Sequence, residues 1–265
     1  MTDPAALLDL DRHPVVGPGR DALVETCRTM LTADGIVVLA GFVRPGALAA
    51  MVSEADALTS AGHHSEVDGT PYLGLPDESF PTGHPRRRLV RSSLTAVAYD
   101  RFGAGSALRT LYEWEPLAAL VRDVVGLPAI HRYADPLGAL NVASMADGDE
   151  LGWHFDQTDF VTSIALRSSE RGGDFEVASR VRSSEDERYD AVGAVLDGDR
   201  AGVTHVTFDP GALMVFAGRH SLHRVTPVAG PTPRLVALLA YDARPGTDSS
   251  ELLKLVRYGR LPETV

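Results

Sequence analysis

Cysteine is nearly missing from this chain: Cys27 is the only one in 265 residues. No intrachain disulfide can therefore form. Cys27 shares a helical stripe with Val24 and Leu31, so it reads as buried and inert. Excess positive charge is missing too. Lys and Arg number 25 against 36 Asp and Glu, a formal net charge of −11. That balance excludes an ordinary nucleic-acid binder, which needs a basic face. Long apolar runs are absent, and none approaches the ~18 residues of a membrane span. The opening "MTDPAALLDLDRHPVVG" lacks a basic-then-apolar leader, so a cytoplasmic location is expected. There is no internal repeat and no low-complexity tract.

What remains is an ordinary globular composition, 44% hydrophobic and 23% charged. The length suits a single domain spanning residues 1–265. The spacing predicts a helix over "RDALVETCRTMLTADG", ended by Gly35, then a strand in "GIVVLAGFV". A second helix follows in "RPGALAAMVSEADALTS", with Pro45 near its first turn. Residues 60–85, rich in Gly, His, Pro and Ser, read as a long loop. Leu117, Leu120, Val121 and Val124 keep helical spacing in "PLAALVRDVVGL".

After Gly126 the pattern becomes short strands separated by Gly, Pro and Asp turns, from "HRYAD" to "RLVALLAY". One polar excursion, "RSSEDERYDAVGAVLDGDRAG", interrupts them. The expected architecture is α+β, with N-terminal helices packed outside an antiparallel sandwich or barrel. Its parts are a helical region at 1–126, a β core at 127–245 and a C-terminal extension at 246–265.

The chemistry concentrates in "LGWHFDQTDF". Residues i and i+2 of a strand share a face, so His154 and Asp156 project together. One nitrogen and one oxygen ligand make two-thirds of a metal site. "GRHSLHRVTPV" supplies a third ligand, His223, with His220 as its rival. Two histidines and a carboxylate leave one face of an octahedral ion open, the arrangement suited to Fe(II). Arg234, with ten residues between it and His223, could bind the far carboxylate of a dicarboxylic co-substrate through its planar fork. The plain alternatives are a surface His–Asp hydrogen bond and a strand-end cation. His205 reads as a half-exposed strand histidine, His63, His64 and His131 carry no usable ligand spacing, and Trp153 reads as packing.

At these residues the chain resembles the Fe(II)/2-oxoglutarate-dependent oxygenases. "WHFD" is similar to their H-x-D, "LHRVTPV" to their distal histidine segment, and Arg234 to the arginine that holds the 2-oxoglutarate C5 carboxylate. The resemblance runs from about Gly126 to Tyr241, and more loosely through "ADGIVVLAGFV" and "ALAAMVSEADAL". It is nearest to a subgroup of small bacterial enzymes that act on free amino acids, both hydroxylases and halogenases. The halogenases of that subgroup have Gly or Ala where this chain has Asp156.

The resemblance implies a double-stranded β-helix (a cupin-like jelly roll) that binds Fe(II), 2-oxoglutarate and O2. His154, Asp156 and His223 would hold the metal, and Arg234 the co-substrate. Asn141 is a candidate second contact to 2-oxoglutarate, or a strand asparagine satisfied by backbone. Arg91, chosen from the cluster at Arg86, Arg87, Arg88 and Arg91, would hold a substrate carboxylate, and Asp135 a substrate ammonium. The implied activity is hydroxylation of an unactivated C–H bond in a small substrate. Open alternatives are desaturation, cyclisation, epimerisation or C–C cleavage on the same machinery, a metal-dependent cupin hydrolase or isomerase, and a non-catalytic binding protein. Nothing in the sequence sets the oligomeric state.

Overall fold

The computed structural model of the chain describes residues 3–263. Helices α1 (Arg20–Asp34) and α2 (Pro45–Thr59) flank strand β1 (Ile36–Leu39). Gly35 ends α1 with φ 75°, its N–H donating to the Leu31 carbonyl, the left-handed stop that glycine adopts without a Cβ clash. Strands β2 (His63–Gly69) and β3 (Val90–Val97) precede helices α3 (Ala107–Glu113) and α4 (Glu115–Val125). Then come β4 (His131–Arg132), β5 (Leu140–Met145), β6 (Leu151–His154), β7 (Val161–Arg167) and β8 (Phe175–Ala178). Helix α5 (Tyr189–Leu196) leads to β9 (Val203–Val206), β10 (Leu213–Phe216), β11 (Leu222–Val225), β12 (Arg234–Leu239), β13 (Tyr241–Asp242) and α6 (Glu251–Tyr258).

Eleven strands form one antiparallel sheet in the order β1-β10-β7-β12-β5-β3-β6-β11-β8-β9, with β2 on β3. The sheet curls so that alternate residues meet across an interior. Leu94, Ala96, Ala143, Met145, Val177, Met214, Phe216 and Val225 form that inner cluster. Their neighbours in sequence, such as Val142, Ile164, Val215, Leu235 and Ala237, face outward under α1 to α4. Strand β5 is buried at every residue because both of its faces are covered. On the opposite wall Trp153, Phe155 and Leu222 pack outward against Val192 and Val195 of α5. This is the jelly-roll architecture. Among the described residues no helix is long and apolar enough to cross a membrane.

Three expectations need correction. The region before residue 126 holds more than helices and the expected β1, since β2 and β3 also join the sheet, and one edge of β3 pairs with both β5 and β6. The expected loop over 60–85 begins with β2, whose polar "HHSEVDG" carries no alternation because it is an exposed edge strand. The polar excursion contains α5, whose apolar Val192 and Val195 are buried.

Candidate metal centre

Strands β6 and β11 are neighbours, and their register places His154 directly opposite His223. The two rings lie 4.2 Å apart between centroids. Strand β6 ends at His154, and Asp156 follows two residues later on the same side. Its N–H is held by the Gly218 carbonyl at 3.2 Å. Asp156 Oδ1 lies 3.6 Å from His223 Nε2 and 4.0 Å from His154 Nε2. All three ligand atoms fall within 4.8 Å of one another, the one such group among the described residues.

The backbone orients both imidazoles in the same way. His154 Nδ1–H donates to the Gly152 carbonyl at 2.8 Å, and His223 Nδ1–H to the Ser221 carbonyl at 2.9 Å. Each bond selects the tautomer that leaves Nε2 as a bare lone pair aimed at Asp156. Phe175 and Phe216 pack on His223 at 5.6 and 4.8 Å and keep that side dry. Burial, reinforced by the facing His223, lowers the His154 pKa to about 4, so the ring stays neutral at neutral pH. Burial alone would raise the Asp156 pKa, but attraction to the protonated forms of His223 and His154 outweighs it and holds the group below the usual carboxylate range. Its buried Oδ2 has no hydrogen-bond partner. Two oriented imidazoles and a carboxylate with an orphaned oxygen fit a divalent ion. His220 lies outside this group; its backbone carbonyl accepts from the Arg182 N–H.

Arg234 opens β12 on the opposite wall, facing Met145. Its nearest hydrogen-bond contact is Met145 Sδ at 3.9 Å, and no carboxylate reaches it within 4.0 Å among the described residues. Burial lowers its pKa to about 10, with Asp174 as the opposing charge. Gly173 makes room for it, since a Cβ there would lie 2.9 Å from Arg234 Cδ. Asn141 and Ser163 sit in register on either side of Leu238. Their buried Oδ1 and Oγ also lack partners.

A family model described as Halogenase D matches residues 20–252. The chain belongs to the Halogenase D family. No curated protein matches it. Among solved structures it is similar to the non-heme α-ketoglutarate-dependent carbocyclase SnoK from nogalamycin biosynthesis, at 13% identity over 91% of this chain and 94% of that one, TM-score 0.57. The epimerase SnoN of the same biosynthesis matches at 18% identity over 84% and 81%, TM-score 0.55. EctD from S. alaskensis, solved with 2-oxoglutarate and 5-hydroxyectoine, matches at 18% over 86% and 76%, TM-score 0.53. At these identities the likeness establishes the fold, that of the 2-oxoglutarate/Fe(II) oxygenases.

Within this Halogenase D member one expected substrate contact, Arg91, turns away from the interior. Parity decides against Arg91: Leu94 and Ala96 project into the interior, so Arg91 projects outward. There it pairs with Glu66 at 2.7 Å and Glu150 at 3.3 Å. Asp135 is fully buried, accepts from the Leu137 N–H at 2.8 Å and lies 3.9 Å from Lys254 Nζ. Sequence reasoning also missed two glycines, Gly173 beside Arg234 and Gly218 beside Asp156, because only a close approach in space marks them.

An unpaired, half-buried guanidinium destabilises a fold that lacks its ligand. Arg234→Met keeps the stem and removes the charge. It is expected to stabilise the ligand-free protein by roughly 1–3 kcal/mol, read as a higher denaturation midpoint. A lower midpoint would mean that Arg234 already has an anionic partner.

Proposed function

We propose that this Halogenase D member is an Fe(II)/2-oxoglutarate-dependent dioxygenase built as one domain. It hydroxylates an unactivated C–H bond of a small polar substrate, a free amino acid or derivative, and releases succinate and CO2. The observation that carries this reading is the pairing of the His154–Asp156–His223 group with an unpartnered Arg234 in one lined interior. A hydrolase or a plain binding protein has no use for that arginine.

His154, Asp156 and His223 would hold the metal on one face. Arg234 would clamp the distal carboxylate of 2-oxoglutarate through its fork. Asn141 Oδ1 and Ser163 Oγ, otherwise unsatisfied, offer polar atoms along the same cavity. With its co-substrate and O2, ferrous iron supplies the oxidant for C–H cleavage. The chain's own part is to orient, to exclude water through Phe175 and Phe216, and to place the target carbon. Asp156 also bears on the outcome. With the carboxylate bound, the position that a halide would need is taken, so a member of a family described as halogenases would here transfer oxygen.

The test is incubation with Fe(II), 2-oxoglutarate, O2 and a panel of free amino acids in chloride-containing buffer. Succinate should form only with both Fe(II) and 2-oxoglutarate, and one panel member should gain a single oxygen. A chlorinated product would remove Asp156 from the metal and hydroxylation from the proposal. In the same assay Arg234→Ala should raise the apparent KM for 2-oxoglutarate on the order of a hundredfold, and Arg234→Lys much less, because lysine keeps charge and loses the fork. Equal KM values in the three proteins would leave the co-substrate site unassigned.

A further inference from the structure

On the outer side of the sheet, behind the His154–Asp156–His223 group, one guanidinium grips both chain segments that carry the three residues. Arg182 follows β8, and its side chain is 13% exposed. Its Nε and Nη2 both donate to the Arg219 carbonyl, at 2.9 and 2.6 Å. Its backbone N–H donates to the His220 carbonyl at 3.3 Å. The guanidinium carbon lies 3.9 Å from the centroid of the Phe155 ring, a cation–π stack on the residue between His154 and Asp156. The remaining nitrogen, Nη1, meets Glu187 at 2.9 Å.

The segment that Arg182 holds is the one on which Asp156 rests. The Gly218 carbonyl accepts from the Asp156 N–H, and Gly218 abuts the carboxylate. Arg219, next along, reaches past Asp156 with its own side chain: Nη2 donates to the Gln157 carbonyl at 2.5 Å, and Nε to Asp159. Asp156 is therefore bracketed. Phe155 before it lies under Arg182, Gln157 after it is tied to Arg219, and the Arg219 carbonyl is tied back to Arg182. The same stretch serves His223, since the Arg180 N–H donates to Ser221 Oγ at 3.1 Å and the Ser221 carbonyl orients the ring. Asp156 Oδ2 has no hydrogen bond of its own, so the aim of the carboxylate depends on the backbone that carries it and on the turn packed against it. An ion pair with Glu187 accounts for the charge of Arg182 and not for its direction: two of its three nitrogens are spent on one backbone carbonyl.

We propose that Arg182 is a positioning residue of the metal centre. Its fork fixes the Gly218–Arg219 turn and its face fixes Phe155, and together they keep the Asp156 carboxylate on the two histidines. This rests on the reading of His154, Asp156 and His223 as metal ligands.

The experiment titrates metal-free protein with Co(II), a spectroscopically visible stand-in for Fe(II). It records affinity, the visible spectrum at saturation and the denaturation midpoint without metal. Arg182→Met keeps an apolar stem on Phe155 and loses the fork. It should bind Co(II) roughly ten- to a hundredfold more weakly than wild type, the range for a lost support of a metal ligand, and its saturated spectrum should differ because one ligand sits differently. Arg182→Lys keeps the charge without the planar fork and should fall between in both readouts. Arg86→Met is the matched control. Arg86 shares Glu187 at 3.1 Å and stacks on Tyr72 at 4.3 Å, but among the described residues it has no hydrogen bond to residues 218–220. Whatever it costs in midpoint, it should leave Co(II) affinity and spectrum as in wild type. Wild-type affinity and spectrum in Arg182→Met would overturn the role. So would equal metal losses in Arg182→Met and Arg86→Met, which would make the effect one of general packing. Should Arg182→Met fail to fold, Arg182→Lys decides by the same two readouts, and wild-type values there would overturn the role as well. No Co(II) binding by wild type would instead overturn the metal centre itself, an outcome distinct from a loss confined to the Arg182 variants.

Discussion

Replacing His223 with alanine is expected to abolish turnover and to weaken Fe(II) binding by more than about a hundredfold. Loss of a group that merely orients a metal ligand already costs 10- to 100-fold, and His223 is placed as a ligand itself. The ring is buried, its Nδ1–H is tied to Ser221, and its Nε2 stands 3.6 Å from Asp156 Oδ1. Alanine leaves two donors, too few to hold a labile divalent ion against water. His220→Ala is the matched control, three residues away and outside the ligand group, and should keep metal affinity within a few-fold. Both variants can be titrated with Fe(II) under argon. Strong binding by His223→Ala together with weak binding by His220→Ala would move the distal ligand to His220.

Gly218→Ala should be nearly as damaging, although glycine has no donor of its own. An ideal Cβ at residue 218 would lie 1.6 Å from Asp156 Oδ2 and 2.6 Å from its Cγ. No real contact is that short, so either the carboxylate swings away from the histidines or the turn moves. The turn resists because the Gly218 carbonyl itself accepts from the Asp156 N–H. We expect Fe(II) affinity to fall at least tenfold and turnover with it, in the range seen when a support of a metal ligand is lost. Stability should fall by only about 1–3 kcal/mol, the usual cost of overpacking. The contrast between large metal loss and modest destabilisation is the signature of displaced ligand geometry. Gly103→Ala, where a Cβ would meet nothing within 4 Å, should change neither. Wild-type metal affinity in Gly218→Ala would show that Asp156 is free to relocate and that the turn does not position it.

Much of this centre was legible in the sequence, and for one reason. Where the functional residues lie on regular strands, covalent spacing dictates geometry. Two residues along an extended chain is one face, so His154 at the end of β6 and Asp156 just beyond it project together. The ten residues between His223 and Arg234 allow one strand, one turn and the start of the next. Glycines and apolar alternation marked the strands after residue 126, and the stripe at Leu117, Leu120, Val121 and Val124 marked α4.

Other features had no such anchor. Strand β2 is polar on both faces and pairs only along one edge, so hydrophobic periodicity could not reveal it. Arg91 illustrates the limit of alternation: the pattern says which residues share a face, and not which face turns inward. Packing of Leu94 and Ala96 against the interior decided that, and sent Arg91 to Glu66 and Glu150. Helix α6 shows the same limit more sharply. Its leucines suggest a buried apolar face, yet Lys254 and Tyr258 are the buried residues, because the surface it covers presents Asp135 and the barrel mouth.

The sequence by itself therefore determined the candidate ligand types, their spacing, the position of Arg234 after His223 and the α+β class, because each depends on separations along one chain. Only the tertiary structure decided that β3 pairs with both β5 and β6, that Gly218 abuts Asp156, and that, among the described residues, Arg257 has no carboxylate within 4.0 Å. Those are distances between residues far apart in sequence, set by how the sheet closes on itself, and no local pattern records them.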